Sequence, residues 1–211
     1  MDYVETSEPT SQESSLQLSR RDLEVIVSSG KFLRALATAS RITRKKGTET
    51  GFTVSINPGK DIFIGSVSEG RTDSMDLAEE IEDIDQLEDA EDILDYEYLL
   101  SLHFHPGAET PEPSPTDLFL LTKLPLLAIA SVKDNGEVLV LFLSRKGYFD
   151  RYHIEEYEES DRFDPEKLEL NTALIRFGHK FGKYKPQEDL SSFDKLGIIR
   201  IPKSNAQSPS A

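Results

Sequence analysis

The fold is best approached from the stretch Leu-Ser-Leu-His-Phe-His-Pro at residues 100–106. Its apolar and polar residues alternate, which predicts a β-strand whose side chains point to opposite faces in turn. His103 and His105 would then share one face, while Leu102 and Phe104 would enter the buried face. A Pro-Gly pair follows and ends the strand. Two imidazoles directed at one point are candidate ligands for a metal ion.

A proline-rich loop after this strand leads to Ser114-Pro115-Thr116-Asp117 and then to the apolar run 118–127. This order predicts a helix start, and a chain that turns back there can bring Asp117 onto the two histidines. Two alternatives stay open. Ser-x-x-Asp is also the pattern of a helix capping box with no further role. The histidine pair, in turn, could be exposed or hydrogen-bonded without any metal.

Taken together, His-x-His-Pro and the following Ser-x-x-Asp resemble the signature of the JAMM (MPN+) metalloprotease family. The resemblance implies that His103, His105 and Asp117 bind one zinc ion. It also implies that Ser114 helps to bind the oxyanion that develops during hydrolysis. The loop between His105 and Ser114 is one residue longer than is usual in the family, and loop closure depends only weakly on length.

The family keeps a glutamate as general base just after its first helix, at the start of a strand. Glu49 has that place here, because a helix over 28–46 ends in a basic cluster and Gly47 shortly before it. The family often has Glu-x-x-Gly at this point, whereas Gly51 comes one position earlier. The alternative is a glutamate that faces water from an edge strand.

The order of elements predicts an α/β (α+β) fold. Strands are predicted over 23–27, 49–56, 61–67, 100–105, 127–132, 138–143, 148–154 and 196–201, and helices over 28–46, after Ser114 and over 164–181. The resemblance implies a JAMM/MPN-like (cytidine-deaminase-like) mixed β-sheet flanked by helices.

The domain boundaries follow composition. Residues 1–18 read as a disordered N-terminal tail, 19–202 as a JAMM/MPN-like catalytic domain, and 203–211 as a C-terminal tail. Within the domain, 73–97 is dense in Asp and Glu but keeps aliphatic residues at helical spacing, which predicts an acidic helical insertion. Its acidic face is either solvated or a docking surface for a basic partner, and disorder is the third reading.

Charge and composition exclude several functions. The net charge is −15, from 24 Lys+Arg against 39 Asp+Glu, which repels phosphate backbones and argues against nucleic acid as a partner. The chain has no cysteine, so any metal site must use nitrogen and oxygen ligands. There is no apolar run of about 18 residues and no basic-then-apolar N-terminal signal. We therefore expect no membrane association and a cytoplasmic protein.

The resemblance implies a zinc isopeptidase that hydrolyses amide bonds at the C-terminus of ubiquitin or a ubiquitin-like protein, with their conjugates as partners. One alternative is a non-catalytic MPN-type scaffold subunit. Another is a JAMM-type hydrolase of a sulfur-carrier-like protein or other peptide; a RadC-like, DNA-associated relative is disfavoured by the acidity. The other two histidines, His153 and His179, have no partner at ligand spacing and read as surface or structural residues.

Overall fold

The computed structural model describes residues 16–57, 59–70, 97–122, 124–145, 164–180, 183–187 and 199–201. The α-helices of this part are α1 (Arg20–Ser28), α2 (Gly30–Lys46) and α3 (Pro115–Leu120), and a short 3₁₀ helix spans Pro165–Lys167. The strands are β1 (Leu16–Leu18), β2 (Thr50–Ile56), β3 (Ile62–Ile64), β4 (Ser68–Glu69), β5 (Glu97–Phe104), β6 (Leu126–Val132), β7 (Val138–Arg145), β8 (Leu170–Lys180), β9 (Lys183–Gln187) and β10 (Ile199–Ile201).

Most strands join one mixed sheet in the order β3-β2-β5-β6-β7-β8-β9, and β4 also pairs with β2. Every neighbouring pair in this sheet is antiparallel except β5 and β6, which run parallel. The two strands β1 and β10 form a separate antiparallel ribbon. The predicted α/β (α+β) class is therefore confirmed at the level of a mixed sheet with helices beside it.

The sheet has two unequal apolar faces. Helices α1 and α2 cover one face over a large core that contains Phe32, Phe52, Phe104 and Phe177. The opposite face carries a smaller cluster of buried residues, which consists of Leu121, Leu127, Ile129 and Leu143. Leu102 and Phe104 enter the large core and have no exposed surface, as their alternation predicted. The neighbouring positions of β5 consequently point to the smaller, more polar face.

Helix α2 has clear sequence signals at both ends. The Ser29 side chain accepts a hydrogen bond from the Phe32 amide at its start, and Gly47 ends it with a left-handed φ of 66°. Three basic residues in the last turn suit the negative end of the helix dipole. The predicted helix over 28–46 is thus confirmed.

The crossover between β5 and β6 positions the candidate site. Because these two strands are parallel, the chain must return across the sheet, and α3 lies on that return. The start of α3 comes after the carboxyl end of β5, and ligands commonly bind beyond the carboxyl ends of strands in such units.

Two predictions were wrong. The β-branched run at 23–27 is part of helix α1 and not a strand. Ser19 and Asp22 form a capping box ahead of it, and Leu23, Ile26 and Val27 are buried at helical spacing. Local β-propensity yielded to tertiary packing.

The predicted helix over 164–181 is also absent. The chain forms the 3₁₀ turn at Pro165–Lys167 and then strand β8, which pairs with β7 from Leu170 to Phe177. Ala173, Ile175 and Phe177 are buried while the residues between them are exposed, which is the two-residue period of a strand.

Several predictions fall on residues outside the described ranges. The acidic insertion at 73–97 does so except for Glu97, which begins β5, and so do the strand at 148–154, residues 1–15 and 202–211. Strand β1 begins at Leu16, within the segment expected to be a tail. Among the described residues, no helix is long and apolar enough to cross a membrane.

Candidate metal centre

The two histidines lie where β5 ends. His103 is in the strand and 3% exposed, while His105 follows the strand and its backbone amide donates to the Ala130 carbonyl of β6 at 2.9 Å. Their Nε2 atoms are 3.2 Å apart. The alternation of the strand therefore brings the two imidazoles to one point on the smaller face of the sheet.

Asp117, in the first turn of α3, completes the group. The distance from Oδ1 to His103 Nε2 is 2.9 Å, and that from Oδ2 to His105 Nε2 is 3.4 Å. Asp117 is only 8% exposed. The return of the chain from the proline-rich loop thus brings this carboxylate over the histidine pair.

The ionisation of the group reflects these contacts. Burial alone would raise the pKa of Asp117, but hydrogen bonds from His103 and His105 outweigh it and hold that pKa well below its usual range. The hydrogen bond to Asp117 raises the pKa of His105; burial opposes the rise, and the negative charges of Asp117 and Glu49 add to it. The contacts at this site therefore favour a protonated His105 beside an ionised Asp117.

The spacing of these donor atoms suits a tetrahedral metal ion. Zinc binds His nitrogen and Asp oxygen at roughly 2.0–2.2 Å, which at tetrahedral angles places donors about 3.3–3.6 Å apart. The nitrogen–nitrogen separation of 3.2 Å and the nitrogen–oxygen separation of 3.4 Å lie close to that range, and the separation of 2.9 Å between His103 Nε2 and Asp117 Oδ1 is shorter, as in a direct hydrogen bond. Among the described residues, His103, His105 and Asp117 form a buried group that can hold a metal ion.

Glu49 lies beside this group by strand register. Thr50 pairs with Phe104 and Gly51 with His103 across β2 and β5. Continued by one step beyond the ends of both strands, this register would place Glu49 opposite His105. Directly opposed residues point to the same face of a sheet. The contribution of Glu49 to the raised pKa of His105 is consistent with this placement.

The backbone around Glu49 is held on both sides. Thr50, the next residue, hydrogen-bonds Thr43 of α2 and donates to the Ala39 carbonyl at 3.1 Å. The Glu49 carbonyl accepts a hydrogen bond from the Gly70 amide at 3.0 Å, just beyond β4. The backbone that carries the Glu49 carboxylate is thus held in place between the end of α2 and strand β4.

Ser114 takes part in a capping box and also adjoins the metal group. Its amide donates to Asp117 Oδ2 at 2.6 Å, and its Oγ accepts from the Asp117 amide at 3.1 Å. A hydrogen bond from its side chain also helps to lower the pKa of Asp117. The two alternatives for this motif are therefore not exclusive, because the same carboxylate caps α3 and approaches both histidines.

The sequence interpretation missed one contact. The backbone carbonyl of Glu112 in the proline-rich loop also helps to raise the pKa of His105, so it lies close enough to interact with the ring. Metal-binding histidines usually donate from their second ring nitrogen to a group of this kind, which fixes the ring and its tautomer. A backbone carbonyl cannot be recognised from the type of residue that carries it. The only related signal in the sequence is the pair of prolines at 111 and 113, which restrict the conformation of the loop.

In comparisons with known proteins, no family model and no curated protein sequence matched this chain. The functional interpretation consequently depends on the residues of the site and their geometry.

Proposed function

We propose that this protein is a zinc-dependent isopeptidase of the JAMM type, with a JAMM/MPN-like fold, which hydrolyses amide bonds at the C-terminus of ubiquitin or a ubiquitin-like protein. The observation that carries the proposal is the convergence of His103, His105 and Asp117, with Glu49 placed opposite His105 by extension of the strand register. Two imidazoles and one carboxylate leave one tetrahedral position open, as in catalytic zinc sites.

The donor set favours zinc over other common ions. Magnesium and calcium prefer sites made entirely of oxygen ligands, whereas zinc accepts two imidazoles with a carboxylate. When bound, zinc would supply a Lewis acid and make a hydroxide nucleophile available near neutral pH. Burial of His103 and Asp117 keeps competing water away from the contact between them.

Three side chains perform the remaining chemistry. Glu49 accepts a proton from the attacking water and transfers it to the leaving amine, so that hydroxyl is added to the carbonyl carbon and hydrogen to the nitrogen. The Ser114 hydroxyl donates a hydrogen bond to the oxyanion, and Asp117 holds both the histidines and the start of α3 in place. These roles follow the JAMM resemblance, and the positions of the three groups support them.

The substrate would approach from the β4 side. Strand β4 pairs with Thr50 and Gly51 of β2, so it is the strand beside Glu49 at this end of the sheet. Among the described strands, no other one pairs with β4. An extended C-terminal tail would add to that edge through backbone hydrogen bonds and present its terminal amide to the site.

The deciding experiment compares the wild-type protein with Glu49→Gln. The substrate is ubiquitin carrying a fluorogenic amide at its C-terminus, tested with and without a zinc chelator. We expect hydrolysis that the chelator abolishes, and a loss of about 10²- to 10⁴-fold in kcat for Glu49→Gln, because general base catalysis contributes that much. Elemental analysis should find zinc in both proteins.

Glu109→Gln is the matched control, since Glu109 is an exposed glutamate of the neighbouring loop. It should hydrolyse the substrate at the wild-type rate. Full activity of Glu49→Gln would remove Glu49 from the role of base. A wild-type protein that binds zinc but cleaves neither this substrate nor a ubiquitin-like fusion would instead be a non-catalytic MPN-type subunit.

A further inference from the structure

The two histidines differ on the side that faces away from the metal site. His105 has the Glu112 backbone carbonyl near its ring, where this carbonyl helps to raise the pKa of His105. His103 Nδ1 is buried and has no hydrogen-bond partner among the described residues. A metal-binding histidine ordinarily donates from this nitrogen, since that bond leaves Nε2 free to bind the ion.

A second unpaired polar atom lies on the same face of the same strand. Ser101 precedes His103 by two residues, is 1% exposed, and its Oγ also has no partner among the described residues. One further buried side-chain atom shares this condition, Thr48 Oγ1, and Thr48 adjoins Glu49. Unpaired buried groups are rare, so their concentration around one site requires an explanation.

The geometry of a strand allows these two atoms to meet. Residues two apart are separated by roughly 6.6 Å along the strand and point to the same face, so Ser101 and His103 are nearest same-face neighbours on β5. A change of the Ser101 χ1 angle between staggered rotamers moves Oγ along the strand at little cost. The Thr53 hydroxyl, opposite Ser101 on β2, is another potential hydrogen-bond partner for these two atoms. It lies against Gly65 instead.

We propose that Ser101 is the positioning residue for His103: its Oγ accepts the hydrogen bond of His103 Nδ1 when the metal is bound, so that Nε2 binds the ion. This inference rests on the metal site of the proposed function, and it adds a residue outside the His-x-His-Pro and Ser-x-x-Asp motifs. Each histidine ligand then has an acceptor behind it, a backbone carbonyl for His105 and a hydroxyl for His103.

The test measures zinc binding and the tautomer of His103, and does not depend on hydrolysis. Competition with a chromophoric chelator should show that Ser101→Ala weakens zinc binding by about 10- to 100-fold, as the loss of such a partner does elsewhere. Ser101→Thr, which keeps the hydroxyl, should restore the affinity. Nitrogen NMR of the zinc-loaded wild type should find the His103 proton on Nδ1.

Ser144→Ala is the matched control, because Ser144 is equally buried in β7 and its Oγ accepts from Asn171 away from the site. Its zinc affinity should equal that of the wild type. In the metal-free state Ser101→Ala should be at least as stable as the wild type, since it removes an unpaired buried hydroxyl. A merely structural serine would instead change stability and leave the tautomer and the affinity unchanged.

The outcomes separate this inference from the proposed function. Wild-type zinc affinity in Ser101→Ala, or a zinc-loaded His103 with its proton on Nε2, overturns the role of Ser101 and leaves the metal site intact. Failure of the wild-type protein to bind zinc overturns both. The NMR measurement uses the wild type alone, so a proton on Nε2 would overturn the role of Ser101 even if Ser101→Ala does not fold.

Discussion

Two helices of this protein begin with the same Ser-x-x-Asp pattern but meet different partners. Ser19 and Asp22 begin α1, Ser114 and Asp117 begin α3, and each pair exchanges both hydrogen bonds of a capping box. The Asp22 side chain is 21% exposed and pairs with Lys60 at 2.8 Å. Asp117 is buried and lies against two histidines. The pattern specifies a helix start in both places, and the strand that ends beside α3 makes only the second aspartate a candidate ligand.

The largest difference between the boxes should appear when each aspartate is replaced by asparagine. The N-cap serines Ser19 and Ser114 remain in these variants, so both helices should still form. Asp117→Asn removes an anionic metal ligand, and we expect zinc affinity to fall by more than about 100-fold, beyond the loss typical of an outer partner. Asp22→Asn should bind zinc as the wild type does. Calorimetric titration with zinc makes the comparison, and equal affinities for the two variants would contradict the assignment of Asp117.

The serines of the two boxes provide the next comparison. Ser114→Ala and Ser19→Ala should each cost about 1 kcal/mol of unfolding free energy, because each loses an N-cap. Only Ser114→Ala should also lower kcat, by on the order of 100-fold, if its hydroxyl binds the oxyanion. Thermal unfolding and hydrolysis of the ubiquitin amide measure the two effects.

A second outcome would change the role of Ser114 without removing it. If Ser114→Ala keeps kcat but binds zinc more weakly than Ser19→Ala, the hydroxyl serves to hold the Asp117 carboxylate. Equal kcat and equal zinc affinity in the two variants would leave Ser114 as a helix cap alone.

The two capping boxes also show which helix starts can be predicted from the sequence. The pattern at 114–117 predicted a helix start, and that helix is present. The identical pattern at 19–22 precedes the run Leu23 to Val27, whose β-branched residues predict a strand. The Ser-x-x-Asp pattern at 19–22 indicates a helix start. The burial of Leu23, Ile26 and Val27 against α2 and the sheet favours the helix over a strand.

Long-range contacts account for what the sequence did not predict. The alternation at 100–106 predicted which face each histidine takes, because that depends only on neighbouring residues. The expected position of Glu49 opposite His105 depends on extending the register between β2 and β5, which are separated by more than 40 residues in the chain. Strand β8 likewise follows from its pairing with β7, since its apolar residues match a helix about as well as a strand.

The smallest expected difference lies in the pH dependence of the metal-free protein. The pKa of His105 is raised above the ordinary value of 6.5 by its hydrogen bond to Asp117 and by the charges of Asp117 and Glu49. A group of this kind stabilises the fold fully below pH 6.5, and its contribution is lost as the pH rises through the raised folded value. Both aspartates have lowered pKa values, so their contributions are constant at neutral pH and are lost only in acid.

We therefore expect the unfolding free energy of metal-free protein to fall between pH 6 and 8, and this slope to be smaller in His105→Gln. Lys60→Gln, which removes the corresponding partner of Asp22, should keep the wild-type slope, since neither Lys60 nor Asp22 changes charge in that interval. Zinc should reverse the trend, because protons compete with the ion for the imidazoles and the stabilisation by bound zinc grows with pH. Denaturant unfolding with and without zinc measures both slopes, and parallel slopes in the two conditions would mean that the histidines do not bind the ion.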